Sequence, residues 1–135
     1  MLSEQHELLE QADSIDSIRG IEGAAAAIYF QSFDAMLKTS DEEMRFVRRS
    51  RRPPENRVNA MLSFVYMLLK NDMQSALESV GIDPAAGYLH TLRPGRPSMA
   101  LDLMEELRAP LCDRFVISLL NLKQIQEDDF DTGNG

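Results

Sequence analysis

NRVNAMLSFVYMLLK, residues 56–70, is the stretch whose reading decides the fold. At helical spacing Ala60, Phe64 and Met67 share one stripe, and Met61, Val65 and Leu68 share a second. Apolar side chains on more than one face call for burial on several sides. Such a helix needs other helices around it, and the flanks read as helices too. Upstream, SIRGIEGAAAAIYFQSFDAMLK (17–38) predicts a helix over about 18–38 with Ser17 as its cap. Residues 3–13 predict a short polar helix with Leu8, Leu9 and Ala12 on one side. Residues 39–54 read as a charged connection with one turn at 41–46, ended by Pro53-Pro54. Downstream, a separate piece over 72–80 ends at Gly81, a residue suited to a helix C-terminus. The prolines and glycines of IDPAAGYLHTLRPGRP (82–97) predict a loop. Ser98 is placed to cap a helix over 99–108. Pro110 breaks or kinks that helix, and a last apolar helix covers about 111–123. No strand-like alternation, repeat or low-complexity tract stands out. The expected class is all-α. Residues 1–17 read as a junction with a short helix, 18–126 as one helical domain, and 127–135 as an acidic flexible tail.

The chain has 135 residues, 44% hydrophobic and 27% charged, values ordinary for one globular domain. One cysteine, Cys112, excludes an intrachain disulfide and suits a reducing cytoplasm. The longest apolar run, Gly23 to Phe30, is too short to span a bilayer. The acidic N-terminal stretch lacks the basic-then-apolar form of a signal peptide. The expected location is the cytoplasm, with no membrane contact. The net charge of -8 argues against nucleic acid only as an average. Residues 1–16 carry five acids and residues 127–135 four, with no Lys or Arg in either. Residues 45–57 hold six arginines against Glu55 alone. A basic segment therefore lies between two acidic ends.

Four features carry chemistry. Glu22 shares a stripe with Ala25, Ala26, Tyr29 and Phe33, and a carboxylate there needs a cation or hydrogen-bond donors. From spacing alone it reads first as a helix-start carboxylate stabilised by the dipole or paired with Arg19. The opposite stripe, Gly20, Gly23, Ala24 and Ala27, offers close approach to another helix. His90 sits in the Pro/Gly-rich loop, where it is free to act as ligand or acid–base, or simply to hydrogen-bond. Asp102 and Glu105, three apart, present both carboxylates to one side of a helix. With Glu22 and His90 they make a set suited to Mg²⁺ or Mn²⁺ rather than to a structural zinc. The plain alternative is a solvated face with Glu105 paired to Arg108. Arg48, Arg49, Arg51 and Arg52, with Arg93 and Arg96 after His90, suit phosphate contact without base reading. They serve equally as a solubilising loop, or as partners of the acidic ends. Together these features describe a metal-dependent enzyme acting on a phosphodiester backbone. A noncatalytic helical DNA-binding or interaction module, or an inactive fragment, fits the same residues.

Four strings carry a family likeness: RGIEGAAAAIYF (19–30), RRPPENRVNAMLSFVYMLL (51–69), GIDPAAGYLHTLRPGRPSMALDLMEELR (81–108) and CDRFVISLLN (112–121). In this order they resemble the CRISPR-associated adaptation integrase, the Cas-one endonuclease family, across about residues 18–125. The resemblance implies that family's α-helical catalytic domain and a divalent metal site. By motif, its Glu is Glu22 of RGIEG, its His is His90 of GYLHT, and its ligand acid is Glu105 of DLMEE. Asp102 matches a second acidic position, and Asn59 matches the Asn that supports the site's surroundings. The implied activity is DNA cleavage and spacer insertion by transesterification, in which a prespacer 3′-hydroxyl attacks a phosphodiester in the CRISPR repeat. The implied partners are DNA, a second copy in a homodimer, and the second small CRISPR-associated adaptation protein. Members carry a β-rich N-terminal domain ahead of RGIEG and continue past the DF…GNG region. The chain therefore reads as the catalytic portion of a longer protein, with the N-terminal β domain absent.

Overall fold

Helix α3, Arg57–Ser79, is the axis on which the C-terminal helices of this computed structural model pack. The structure describes residues 2–39, 41–90 and 93–130. The Asn56 side chain caps α3 by accepting the Asn59 N–H at 2.8 Å. The expected interruption after Lys70 does not occur. Leu69, Met73 and Leu77 recur every four residues, Leu69 and Leu77 are buried, and Met73 packs beside Leu69. Asn71 and Asp72 lie on the exposed side. Their propensity penalty there is at most about 0.7 kcal/mol each, too little to break a helix packed along its other face. The helix ends where Gly81 takes φ +77° and the Ile82 N–H donates to the Leu77 carbonyl at 2.9 Å.

Helix α1 spans Leu2–Glu10, shorter than expected, and packs on α2, Ile15–Gln31. Leu8 and Leu9 remain exposed. Ser14, not Ser17, caps α2, its hydroxyl accepting the Ser17 N–H at 3.2 Å. Nor does α2 run to Lys38. Phe33 turns fully inward, and Asp34, in a 3₁₀ turn at Asp34–Met36, accepts the Phe46 N–H at 2.8 Å and an Arg45 N–H at 3.0 Å. Those bonds fold the connection back on itself, with a second 3₁₀ turn at Glu42–Met44. The small-residue stripe of α2 has no helix against it: a Cβ added at Gly20 or Gly23 meets nothing within 4 Å among the described residues.

Helix α4, Ser98–Leu107, starts one residue earlier than expected, with Pro97 at the cap position and Ser98 buried inside the helix. It does not break at Pro110. A π-helical segment, Arg108–Asp113, carries the chain into α5, Arg114–Asn121. The wider π turn accommodates a residue with no N–H to donate. It also turns Cys112 and Asp113 inward. Of the expected tail, Glu127–Asp129 form a 3₁₀ turn, and residues 131–135 lie outside the described residues.

The larger core cluster gathers Phe33, Leu37, Met44, Phe46, Val58, Met61, Leu62, Val116 and Leu120. A second holds Leu69, Met104 and Cys112. Residues of α3 belong to both, but the buried face is Val58, Met61, Leu62, Leu69 and Leu77 rather than the two expected stripes: Phe64, Met67 and Leu68 are exposed, because among the described residues neighbours pack on one side of the helix only. Each fully buried Phe, Leu or Val contributes roughly 1.5–3 kcal/mol. Among the described residues there is no strand, and no helix is long and apolar enough to cross a membrane.

Candidate functional site

The loop before α4 is stapled to that helix by Asp102. One carboxylate oxygen, Oδ2, accepts the Tyr88 and Leu89 N–H groups at 2.6 and 2.9 Å. Oδ1 accepts the His90 N–H at 2.9 Å and meets His90 Nδ1 at 2.6 Å. Gly87 makes this approach feasible: a Cβ there would stand 2.5 Å from Ser98 Cβ and 2.6 Å from its carbonyl carbon. Burial pushes the Asp102 carboxyl up, but His90 and the three backbone donors outweigh it and hold the group below its ordinary value. Oδ1 of Asp102 thus holds His90 itself, and Oδ2 holds the loop residues before it. With Nδ1 donating to Asp102, the neutral imidazole keeps its lone pair on Nε2.

His90 Nε2 stands 3.9 Å from Glu105 Oε1, and the same oxygen receives Arg108 Nη1 at 2.8 Å. Burial raises the Glu105 pKa above its ordinary value and nearby Glu22 adds to that, while Arg108, His90 and Arg51 oppose it. Glu22 is exposed on α2 and lines two adjoining clefts. One, of about 250 Å³, also has Glu105, Arg108, Arg51, Tyr66 and Asp113 in its walls. The other, of about 200 Å³, has His90, Arg19 and Arg96. Arg19 does not pair with Glu22. It donates to Asp16 at 2.7 Å and to the Leu89 carbonyl at 2.6 Å, which ties α2 to the His90 loop. Among the described residues, no three His, Cys, Asp or Glu side chains converge closely enough to hold an ion as they stand.

Beneath the larger cleft lies a polar group that sequence reasoning missed. Asp113 is buried and accepts the Tyr66 hydroxyl at 2.5 Å, and Tyr29 interacts with the same carboxyl. Burial pushes all three pKa values upward. The Tyr66 ring carries the Arg49 guanidinium at 5.3 Å and that of Arg108 at 5.1 Å. The available signal was a lone carboxylate just ahead of the apolar run that forms α5.

The arginine segment is sorted by the fully buried Asn59. Its Oδ1 accepts Arg49 Nη1 at 2.8 Å and the Ser50 N–H at 2.9 Å. Its Nδ2 donates to the Arg48 carbonyl at 2.8 Å and to Asn56 Oδ1 at 3.0 Å. Arg49 also donates to Ser63 Oγ and the Ser50 carbonyl, so its guanidinium faces inward. Arg48 is engaged bidentately by Glu55 at 2.7 and 3.0 Å. Arg51, Arg52 and Arg93 are exposed, and Arg51 and Arg96 border the clefts. The sequence treats these arginines alike, whereas the fold makes Arg49 structural and leaves Arg51 facing the cleft that contains Glu22 and Glu105.

A family model described as "CRISPR associated protein Cas1" matches residues 1–135. The chain is 56% identical over 123 residues to the CRISPR-associated endonuclease Cas1 1 of Chlorobaculum tepidum, covering 91% of this chain and 36% of that relative. It spans about a third to a half of the length of several of the curated relatives it matches, and about a fifth of two Cas4/Cas1 fusions. Among solved structures, it is similar to a casposase bound to integration product, with a TM-score of 0.88 and 29% identity over 99% of this chain and 38% of that one. It is likewise similar to a chain of a Cas6-RT-Cas1–Cas2 complex, with a TM-score of 0.87 and 33% identity over 96% of this chain and 14% of that one. Helical fold, motif order and these likenesses agree, and the chain belongs to the Cas1 family of CRISPR-associated proteins.

Proposed function

We propose that this chain carries the helical catalytic part of a metal-dependent DNA endonuclease/integrase that acts in CRISPR spacer acquisition in the cytoplasm. The reaction is transesterification. A 3′-hydroxyl oxygen attacks a phosphodiester, a new P–O bond forms, the bond to the leaving 3′-oxygen breaks, and the proton passes from attacking to leaving oxygen through solvent. Glu22, His90 and Glu105 would hold Mg²⁺ or Mn²⁺. When bound, the ion neutralises charge at the scissile phosphate and favours the deprotonated nucleophile. The observation that carries this reading is the pairing of His90 with Asp102, which leaves Nε2 facing Glu105. At metal–donor distances of about 2.1 Å, neighbouring donors on an octahedral ion stand about 3 Å apart, so Nε2 and Oε1, 3.9 Å apart, become adjacent ligands after closing by about 1 Å. A carboxylate behind the imidazole is the usual support for a metal-binding histidine. Glu22 borders the same opening from α2.

The remaining residues bind and position. Arg51, at the cleft edge, meets a DNA phosphate. Arg48, Arg52, Arg93 and Arg96 add further phosphate contacts, and Asn59 keeps the 48–50 segment in place. The partners in this reading are DNA, a second copy of the chain in a homodimer, and the small Cas2-type protein. The casposase on its integration product and the complex that contains Cas2 support DNA and Cas2 by likeness.

The test is Mn²⁺ titration by calorimetry of the parent and of Glu22→Ala, His90→Ala and Glu105→Ala, followed by strand joining on branched DNA with the Cas2-type partner added. The expected result is metal binding in the parent that each substitution weakens at least about tenfold. A parent that binds no Mn²⁺, or substitutions without effect, refutes the assignment. One observation favours a second reading, a noncatalytic DNA-binding module: the Glu105–Arg108 ion pair satisfies Glu105 without any metal. The same titration separates the two.

A further inference from the structure

We infer that Arg108 is a built-in placeholder for the divalent cation, occupying Glu105 until the ion arrives and competing with it for that carboxylate. This inference rests on the metal site proposed above and concerns how that site is tuned. Arg108 Nη1 lies 2.8 Å from Glu105 Oε1, the same oxygen that faces His90 Nε2 at 3.9 Å. Glu105 is about four-fifths buried, and a carboxylate withdrawn that far from water needs a cationic partner. Arg108 supplies one from three residues away on the same helical stretch.

The guanidinium also has a seat that does not depend on Glu105. It lies 5.1 Å over the Tyr66 ring, and that ring is fixed by the Tyr66–Asp113 hydrogen bond. Arg108 Nε is buried without a hydrogen-bond partner among the described residues. The group is therefore held by the ring and by one ion pair rather than by a closed hydrogen-bond network. Giving up Glu105 leaves the ring contact in place. A guanidinium and a divalent ion beside one carboxylate oxygen repel each other, so the arginine lowers the site's affinity for the ion.

The experiment is Mn²⁺ calorimetry on the parent, Arg108→Gln, Arg108→Met and Arg108→Lys, with folding of each checked by circular dichroism. Two neutral variants are used so that one can fail to fold without ending the test. Both neutral variants should bind Mn²⁺ at least about fivefold more tightly than the parent, because they remove a charge-assisted bond that the ion has to replace. Arg108→Lys keeps the competing charge and should stay within about twofold of the parent. If the parent binds Mn²⁺ but the neutral variants bind equally or more weakly, Arg108 is a support for Glu105 and the placeholder role is overturned. A lysine variant that tightens as much as the neutral ones also overturns it. A parent that binds no Mn²⁺ overturns the metal site itself, and this inference with it.

Discussion

Replacing Asn59 with Ala removes four hydrogen bonds at once from a fully buried position. Three of these partners lie in the 48–50 segment and one in the α3 cap. The amide orientation is unambiguous, because Arg49 and the Ser50 N–H can only donate and the Arg48 carbonyl can only accept. Neutral bonds contribute about 0.5–1.5 kcal/mol each, and the one to Arg49 about 1.5–3 kcal/mol. Water entering beside the half-buried segment returns part of this. The expected net loss is about 3 kcal/mol, a large share of the roughly 5–15 kcal/mol that holds a domain together. With an unfolding entropy of about 2.1 cal/mol/K per residue, 135 residues lose about 10 °C in Tm for that change. Differential scanning calorimetry measures the Tm, and amide exchange reports the segment directly. The Ser50 N–H, bonded to Asn59 at 2.9 Å, is protected in the parent and should exchange freely in the variant. A Tm drop under about 3 °C with Ser50 still protected would show that the arginine segment is held by something other than Asn59.

Three further outcomes are expected. Gly87→Ala drives a Cβ into Ser98 backbone and side chain at 2.5–2.8 Å, so it should cost about 1–3 kcal/mol and weaken Mn²⁺ binding by displacing the His90 loop; wild-type melting and metal affinity would contradict the close approach. The Phe46 N–H and then Arg45 hold Asp34 below its ordinary pKa. Because the folded value lies below the unfolded one of about 3.9, its contribution is complete above that pH and fades as pH falls through the folded value. The Tm gap between parent and Asp34→Asn should therefore be widest above about pH 5 and close in acid, and a gap independent of pH would refute it. Burial pushes the Cys112 thiol up and covers it, so alkylation of the folded protein should run at least about 100-fold slower than in denaturant, with equal rates as the contrary result.

Helix boundaries depended on groups far away in sequence. Nothing local in QSFDAMLK stops a helix, and α2 ends at Gln31 because Phe33 is drawn into the core and Asp34 captures Phe46 and Arg45. The expected interruption between Lys70 and the piece over 72–80 is absent because packing of Leu69, Met73 and Leu77 carries the helix through. Pro110 was a sound warning of irregularity, since the chain answers it with a π segment. That segment buries Asp113, which no helical periodicity could have assigned to the cleft.

The sequence by itself determined the all-helical class, the central role of the 56–70 stretch, the loop around His90 and the string order that marks the family. These follow from local periodicity, from turn residues, and from motifs that need no partner to be read. Only the tertiary structure decided which partner each of two neighbouring carboxylates takes. Spacing places Asp102 and Glu105 on one face alike, but the path of the 87–90 loop gives Asp102 to His90 and leaves Glu105 to Arg108. It likewise turned Arg49 inward and left Arg51 at the cleft, because Asn59 sits three residues into a helix that begins after the segment ends. Charge and spacing are local quantities, whereas the partner of a charge is set by what the rest of the chain brings beside it.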